Sequence, residues 1–121
     1  MEVWVCREED LAPGAVRVVQ LGSDERGRPF TALVLRNEDG VPVAYRNMCR
    51  HLPVPLDGGT DRLLSDDRTY LVCGTHGATY RLRDGLCIDG PCKGLALHPL
   101  RLRREGDDLY VSDARATTTQ R

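Results

Sequence analysis

Short apolar runs separated by glycine, proline and charged residues mark this chain along its length. Val3-Trp4-Val5, Val16-Arg17-Val18-Val19, Phe30-Thr31-Ala32-Leu33-Val34-Leu35 and Val41-Pro42-Val43-Ala44-Tyr45 are rich in β-branched and aromatic residues. Such side chains pack well on a pleated surface, so each run predicts a strand. Further runs follow at Tyr70-Leu71-Val72, Leu86-Cys87-Ile88, Leu95 to Leu102 and Leu109-Tyr110-Val111. Asn37-Glu38-Asp39-Gly40 predicts a hairpin turn, because Asp-Gly supplies a positive-φ position at no steric cost. Glu105-Gly106-Asp107-Asp108 predicts a second one. Apolar residues do not recur at helical spacing; Glu8-Glu9-Asp10-Leu11 predicts one short turn only. Many short strands with regular punctuation predict an all-β fold, a small antiparallel sandwich or barrel.

Length and composition bound this picture. With 121 residues, 40% of them hydrophobic and 29% charged, the chain has the make-up of a globular protein. A domain of this size buries about two-thirds of its extended surface, enough for a small core. We expect one domain over residues 1–113 and a polar, frayed tail over 114–121. Lys and Arg total 17 against 18 acidic residues, and the net charge of −1 offers nucleic acid no positive footprint. The first residues lack the basic and apolar regions of a secretory signal, and no apolar stretch is long enough for a membrane span. The expected setting is the cytoplasm, with no membrane partner. In a reducing compartment, clustered Cys and His point to metal or catalysis more than to disulfides. Five cysteines, an odd number, must then be read singly.

Cys49-Arg50-His51 and Cys73-Gly74-Thr75-His76 each offer one thiolate and one imidazole. Each follows an apolar strand at the point where it runs into a loop rich in Gly or Pro, where backbone can bend around a small inorganic group. Two Cys and two His in two such loops suit either tetrahedral zinc or an iron–sulfur cluster. Structural zinc usually takes paired ligands two to four residues apart, whereas here the gaps are one and two. That spacing matches the arrangement in which two Cys hold one iron and two His the other.

With these boxes the chain resembles the Rieske-type [2Fe–2S] proteins, above all the small soluble Rieske ferredoxins. Gly77 after His76, the aromatic Tyr80, and Gly90-Pro91 in the manner of the family's proline loop extend the likeness. It is good over roughly residues 40–112 and looser over the first strands. The resemblance implies a Rieske-like fold with a cluster-binding subdomain formed by two loops, and one [2Fe–2S] cluster. It further implies that Cys49 and Cys73 ligate a buried iron. His51 and His76 would ligate the outer iron, each keeping one ring nitrogen toward solvent.

Departures from the family tune these expectations. The respiratory members join an extra cysteine from each loop in a disulfide; here those positions are Val54 and Thr75. They also place a serine hydroxyl near a cluster sulfide, where this chain has Ala78. Losing that donor disfavours the more negative reduced cluster and lowers the potential, while a Tyr80 hydroxyl near a ligand sulfur raises it. The lower part of the Rieske range of roughly −150 to +300 mV is expected. Pro53 replaces a usual glycine and has no amide to give the cluster. The stretch between the boxes is longer than usual, with a surface excursion over residues 57–68. Cys87 and Cys92 flank Asp89-Gly90-Pro91 and read as small buried residues, with a disulfide as the sharper alternative; Cys6 reads as core. His98 reads as a packed or surface histidine, and the Arg81–Arg83 and Arg101–Arg104 runs as solvated faces.

The function expected from the resemblance is that of a monomeric one-electron carrier between a reductase and a terminal oxidoreductase, in an oxygenase system. It would not be an enzyme. An oxygenase needs a further iron held by two His and a carboxylate, and His98 is the single histidine left over. The alternative is a non-catalytic subunit or redox-sensing module of a larger complex. A third reading, a zinc-stabilised binding module, predicts a colourless protein where iron–sulfur predicts a brown one.

Overall fold

The computed structural model describes residues 2–23, 27, 29–48, 70–73, 78–90 and 92–115. Nine strands appear among them: β1 (Glu2–Arg7), β2 (Val16–Ser23), β3 (Pro29–Arg36), β4 (Pro42–Arg46), β5 (Tyr70–Val72), β6 (Thr79–Arg81), β7 (Cys87–Asp89), β8 (Leu100–Glu105) and β9 (Asp108–Arg115). One 3-10 turn, Glu8–Asp10, follows β1 where the acidic run predicts it. The strands form three antiparallel sheets ordered β1-β9-β8, β2-β3-β4 and β5-β6-β7, so the expectation of an all-β antiparallel fold holds. No helix among the described residues is long and apolar enough to cross a membrane. The chain divides into two compact units, one of Met1–Arg46 with His98–Arg121, the other of Asn47–Leu97.

The first unit is built on aliphatic burial. Its core cluster takes Val5, Cys6, Leu11 and Leu21 together with Ala32 and Val34 of β3, Ala44 of β4, and Leu100, Leu109 and Val111 from β8 and β9. Strand β3 lies between β2 and β4, and Ala32, Leu33, Val34 and Leu35 on both of its faces are buried. A strand covered on both faces reads as an unbroken apolar run rather than an alternating one, as it does here. On β1 a register shift between Trp4 and Cys6 lets the consecutive residues Val5 and Cys6 both enter the core. Cys6 is thus the core residue the sequence predicts.

Turn chemistry sets the register. In the β3–β4 hairpin the Asn37 side-chain oxygen accepts from the amides of Asp39 and Val41, and Gly40 takes the predicted positive φ of 79°. Arg36 at the end of β3 donates to the carbonyls of Leu11 and Glu8 at 2.6 and 2.7 Å and to that of Gly40 at 2.7 Å. One guanidinium thereby ties the 3-10 turn to the hairpin. At the β8–β9 turn Glu105 pairs with Asp108 around Gly106, as predicted.

Three features differ from the sequence expectation. Thr79–Arg81 is a strand that the apolar pattern does not reveal, since only Tyr80 of its three residues is strongly apolar and buried. Leu95 to Leu102 is not one strand. Only the segment from Leu100 onward is, and the residues before it make isolated bridges, Leu86 to Ala96 and Tyr45 to Pro99. Pro99 has no amide to continue a ladder. Strand β9 continues through Arg115, paired with Leu100, past the point where the sequence places the start of the tail.

Candidate metal centre

The second unit, Asn47–Leu97, spans all four predicted ligands. Of these, Cys73 is described; Cys49, His51 and His76 lie outside the described residues, as do Pro53 and the 57–68 excursion. Strand β5 alternates Tyr70, Leu71 and Val72, with Leu71 buried, and the same two-residue period carries Cys73 to the buried side at 1% exposure. The Cys73 amide donates to the Ala78 carbonyl at 2.8 Å. This bond continues the β5–β6 pairing by one residue on each strand. Among the described residues no three metal-binding side chains gather, three of the four predicted ligands being outside them.

The turn after β7 packs against Ala78, two residues past that box. Gly90 has a φ of 103°, and a Cβ placed on it would stand 2.9 Å from the Ala78 Cα and 3.4 Å from the Ala78 nitrogen. Those are backbone atoms, so nothing cheap can move aside. Glycine is required at 90 twice over, by its dihedral and by the close approach. Ala78 itself is fully buried and, having no hydroxyl, offers the region no side-chain hydrogen bond.

Beside these residues lies a buried sulfur pair. The Tyr80 ring is completely buried and its hydroxyl meets Cys92 Sγ at 3.1 Å. Cys92 donates to Cys87 Sγ at 2.9 Å, and Cys87 donates to the Asp89 carbonyl at 3.2 Å. A thiol has one proton. With that of Cys92 directed at Cys87, the Tyr80 hydroxyl is the donor to Cys92. Burial first, and then the hydrogen bond with Cys92, push the Cys87 thiol up to about 11. Both cysteines are buried and neither is in a disulfide, in agreement with the plainer of the two sequence readings. The partner found for Tyr80, Cys92, is one that sequence reasoning does not assign. Its nearest signal is Cys87 and Cys92 on either side of a Gly-Pro turn.

Hairpin β5–β6 of this all-β chain thus carries a buried cysteine at the first position of a Cys-x-x-His sequence. Residues 1–100 match the Rieske [2Fe–2S] domain family, and the chain belongs to that family. A Rieske domain binds one [2Fe–2S] cluster, and the described residues fit it: a buried cysteine on the second loop, its strand ends fixed, and a turn packed closely on Ala78. Among solved structures, this chain is similar to one in the reduced complex between oxygenase and ferredoxin of carbazole 1,9a-dioxygenase, with TM-score 0.72, 18% identity, and coverage of 96% of this chain and 29% of that one. It thus spans less than a third of that chain's length. The terminal oxygenase of carbazole 1,9a-dioxygenase from Novosphingobium sp. KA1 gives 0.71 at 24% identity, covering 96% and 30%. A chain in the complex of reduced oxygenase and oxidized ferredoxin of carbazole 1,9a-dioxygenase gives 0.70 at 23% identity, covering 96% of each. Likeness at these identities carries the fold. No curated protein sequence matches the chain.

Proposed function

We propose that this protein is a one-electron carrier that takes electrons from a reductase and delivers them to a terminal oxidoreductase of an oxygenase system. The observation that carries the reading is Cys73, buried at the root of the second Cys/His box in a chain of the Rieske family. Cys49, His51, Cys73 and His76 are the ligands in this reading, Cys49 and Cys73 on the inner iron and His51 and His76 on the outer one. When bound, the cluster supplies a site that gains and loses one electron. The chain's own residues set its surroundings. Cys73 places its sulfur in a buried site, the Gly90 turn packs over Ala78, and Ala78 withholds a hydrogen bond that would favour the reduced state. A midpoint in the lower part of the Rieske range follows.

The oxygenase partner is supported by the similar structures, which are complexes of a ferredoxin with an oxygenase, or an oxygenase component. We read this chain as a monomeric, cytoplasmic carrier with no substrate site of its own, residues 1–113 acting as one functional domain. A second reading has one observation in its favour. Two of the similar chains are more than three times as long as the match, as a Rieske module inside a larger protein would be. Rapid mixing of the cluster-loaded protein with a reduced flavin reductase tests the two. A carrier is reduced in a second-order step and reoxidised by an oxygenase component; a module of a larger complex exchanges electrons with neither until its partner is bound.

A further inference from the structure

Three described cysteines lie outside the proposed ligand set, and two of them touch. The Cys92 and Cys87 sulfurs, 2.9 Å apart, are closer than non-bonded carbon atoms settle, at about 3.5–4.0 Å. Backbone holds them there. The Cys87 amide donates to the Leu95 carbonyl at 2.7 Å, Gly94 donates back to the Cys87 carbonyl at 3.0 Å, and Leu95 donates to the Cys92 carbonyl at 2.9 Å. The start of β7 and the turn bearing Cys92 are therefore in fixed register without a covalent link. Asp89, Gly90, Lys93 and Gly94 around the buried pair are all exposed, which puts the thiols beneath a solvent-facing turn.

We propose that Cys87 and Cys92 form a redox-active dithiol that closes reversibly to an intramolecular disulfide by exchange with a low-molecular-weight disulfide such as oxidised glutathione. The geometry orders the steps. Cys87 gives its proton to the Asp89 carbonyl and is buried, so it is held as the thiol. A negative charge on Cys92 instead meets the Tyr80 hydroxyl. Cys92 therefore attacks first: its sulfur bonds to one glutathione sulfur, the S–S bond of the oxidant breaks, and one glutathione thiolate leaves. Cys87 then attacks Cys92 in the mixed disulfide and expels the second glutathione. The two protein thiols lose two electrons and two protons, and two glutathione thiols receive them. Closure removes the proton that Cys87 gives Asp89 and leaves Tyr80 facing a disulfide sulfur.

The test equilibrates the cluster-loaded protein, without oxygen, in glutathione buffers of defined composition, followed by acid quench, alkylation and peptide mapping. The expected result is a Cys87–Cys92 linked peptide that disappears with dithiothreitol. Since two thiols are released per bond, raising reduced glutathione about tenfold at fixed oxidised glutathione lowers the ratio of linked to open chain about a hundredfold; a simple mixed disulfide would fall only about tenfold. Cys87→Ser should trap Cys92 as the glutathione adduct, while Cys92→Ser leaves Cys87 unmodified, both variants retaining the wild-type visible spectrum. Two alkylatable thiols at the most oxidising composition, a tenfold dependence, or a linked peptide containing any other cysteine overturns the proposal. So does adduct formation on Cys87 in Cys92→Ser.

Discussion

The two units of this molecule bury different chemistry. The unit of β1–β4, β8 and β9 fills its core with Val, Leu and Ala and closes its hairpins through Asn37, Gly40 and Arg36. The unit of β5–β7 has strands of three residues each, and beside Leu71, Leu82 and Leu97 it buries Cys73, Cys87, Cys92, Tyr80 and Ala78. Long strands with apolar faces stabilise themselves by area removed from water. Three-residue strands cannot, and they rely on turn hydrogen bonds, close backbone packing and, in a Rieske domain, the bound cluster. The unit that carries the buried cysteines is thus the one with the least strand area to stabilise it, and the more dependent on single close contacts such as Gly90 on Ala78.

The sharpest way to break this contrast is to place the same methyl group in each unit. Gly40→Ala in the β3–β4 hairpin meets nothing within 4 Å and carries only the left-handed strain at φ 79°, about 1–2 kcal/mol. Gly90→Ala carries that strain and also a clash with Ala78 backbone, about 2–5 kcal/mol altogether. Urea unfolding separates them, because Trp4 is the single tryptophan and reports on the first unit while visible absorbance reports on the cluster. Gly90→Ala should release colour at a lower urea concentration. Equal losses in the two variants would erase the difference.

Alkaline pH addresses the second unit through Cys87. Its thiol is held at about 11 in the folded chain against an ordinary 9.0, by burial and then by Cys92. Between those values the unfolded chain has lost a proton that the folded chain keeps. The stabilisation is therefore complete below about pH 9 and is lost as pH rises through about 11. Urea midpoints across this window should fall more steeply for the wild type than for Cys87→Ser; parallel slopes would mean that the burial of this thiol carries no linkage.

A smaller effect is expected from Tyr80→Phe, which removes the donor to Cys92 at a cost of about 0.5–1.5 kcal/mol. If the hydroxyl also favours the reduced cluster, the midpoint potential falls in a redox titration. An unchanged midpoint means that the hydroxyl does not favour the reduced cluster.

The contrast between units also governs what the sequence makes legible. Phe30 to Leu35 announces a strand, and Asn-Glu-Asp-Gly its turn, because β and φ preferences are local properties of those residues. Cys49, His51, Cys73 and His76 stand out since mixed Cys/His pairs at gaps of one and two have few other uses. Strand β6 is hidden because a three-residue strand has no period to display. The Cys87–Cys92 contact stands in the sequence only as the alternative of a disulfide, because a separation of five residues says nothing of the bonds through Gly94 and Leu95 that close it. Cys73 at the root of its hairpin is where motif and fold meet.

Electron paramagnetic resonance of the dithionite-reduced protein tests the central claim most directly. Ligation by Cys49, His51, Cys73 and His76 predicts a [2Fe–2S] signal whose average g value lies below that of all-cysteine clusters, and replacing His51 or His76 by Ser should abolish it. An average g value typical of all-cysteine ligation, or a colourless protein that binds zinc and gives no signal, would contradict the account.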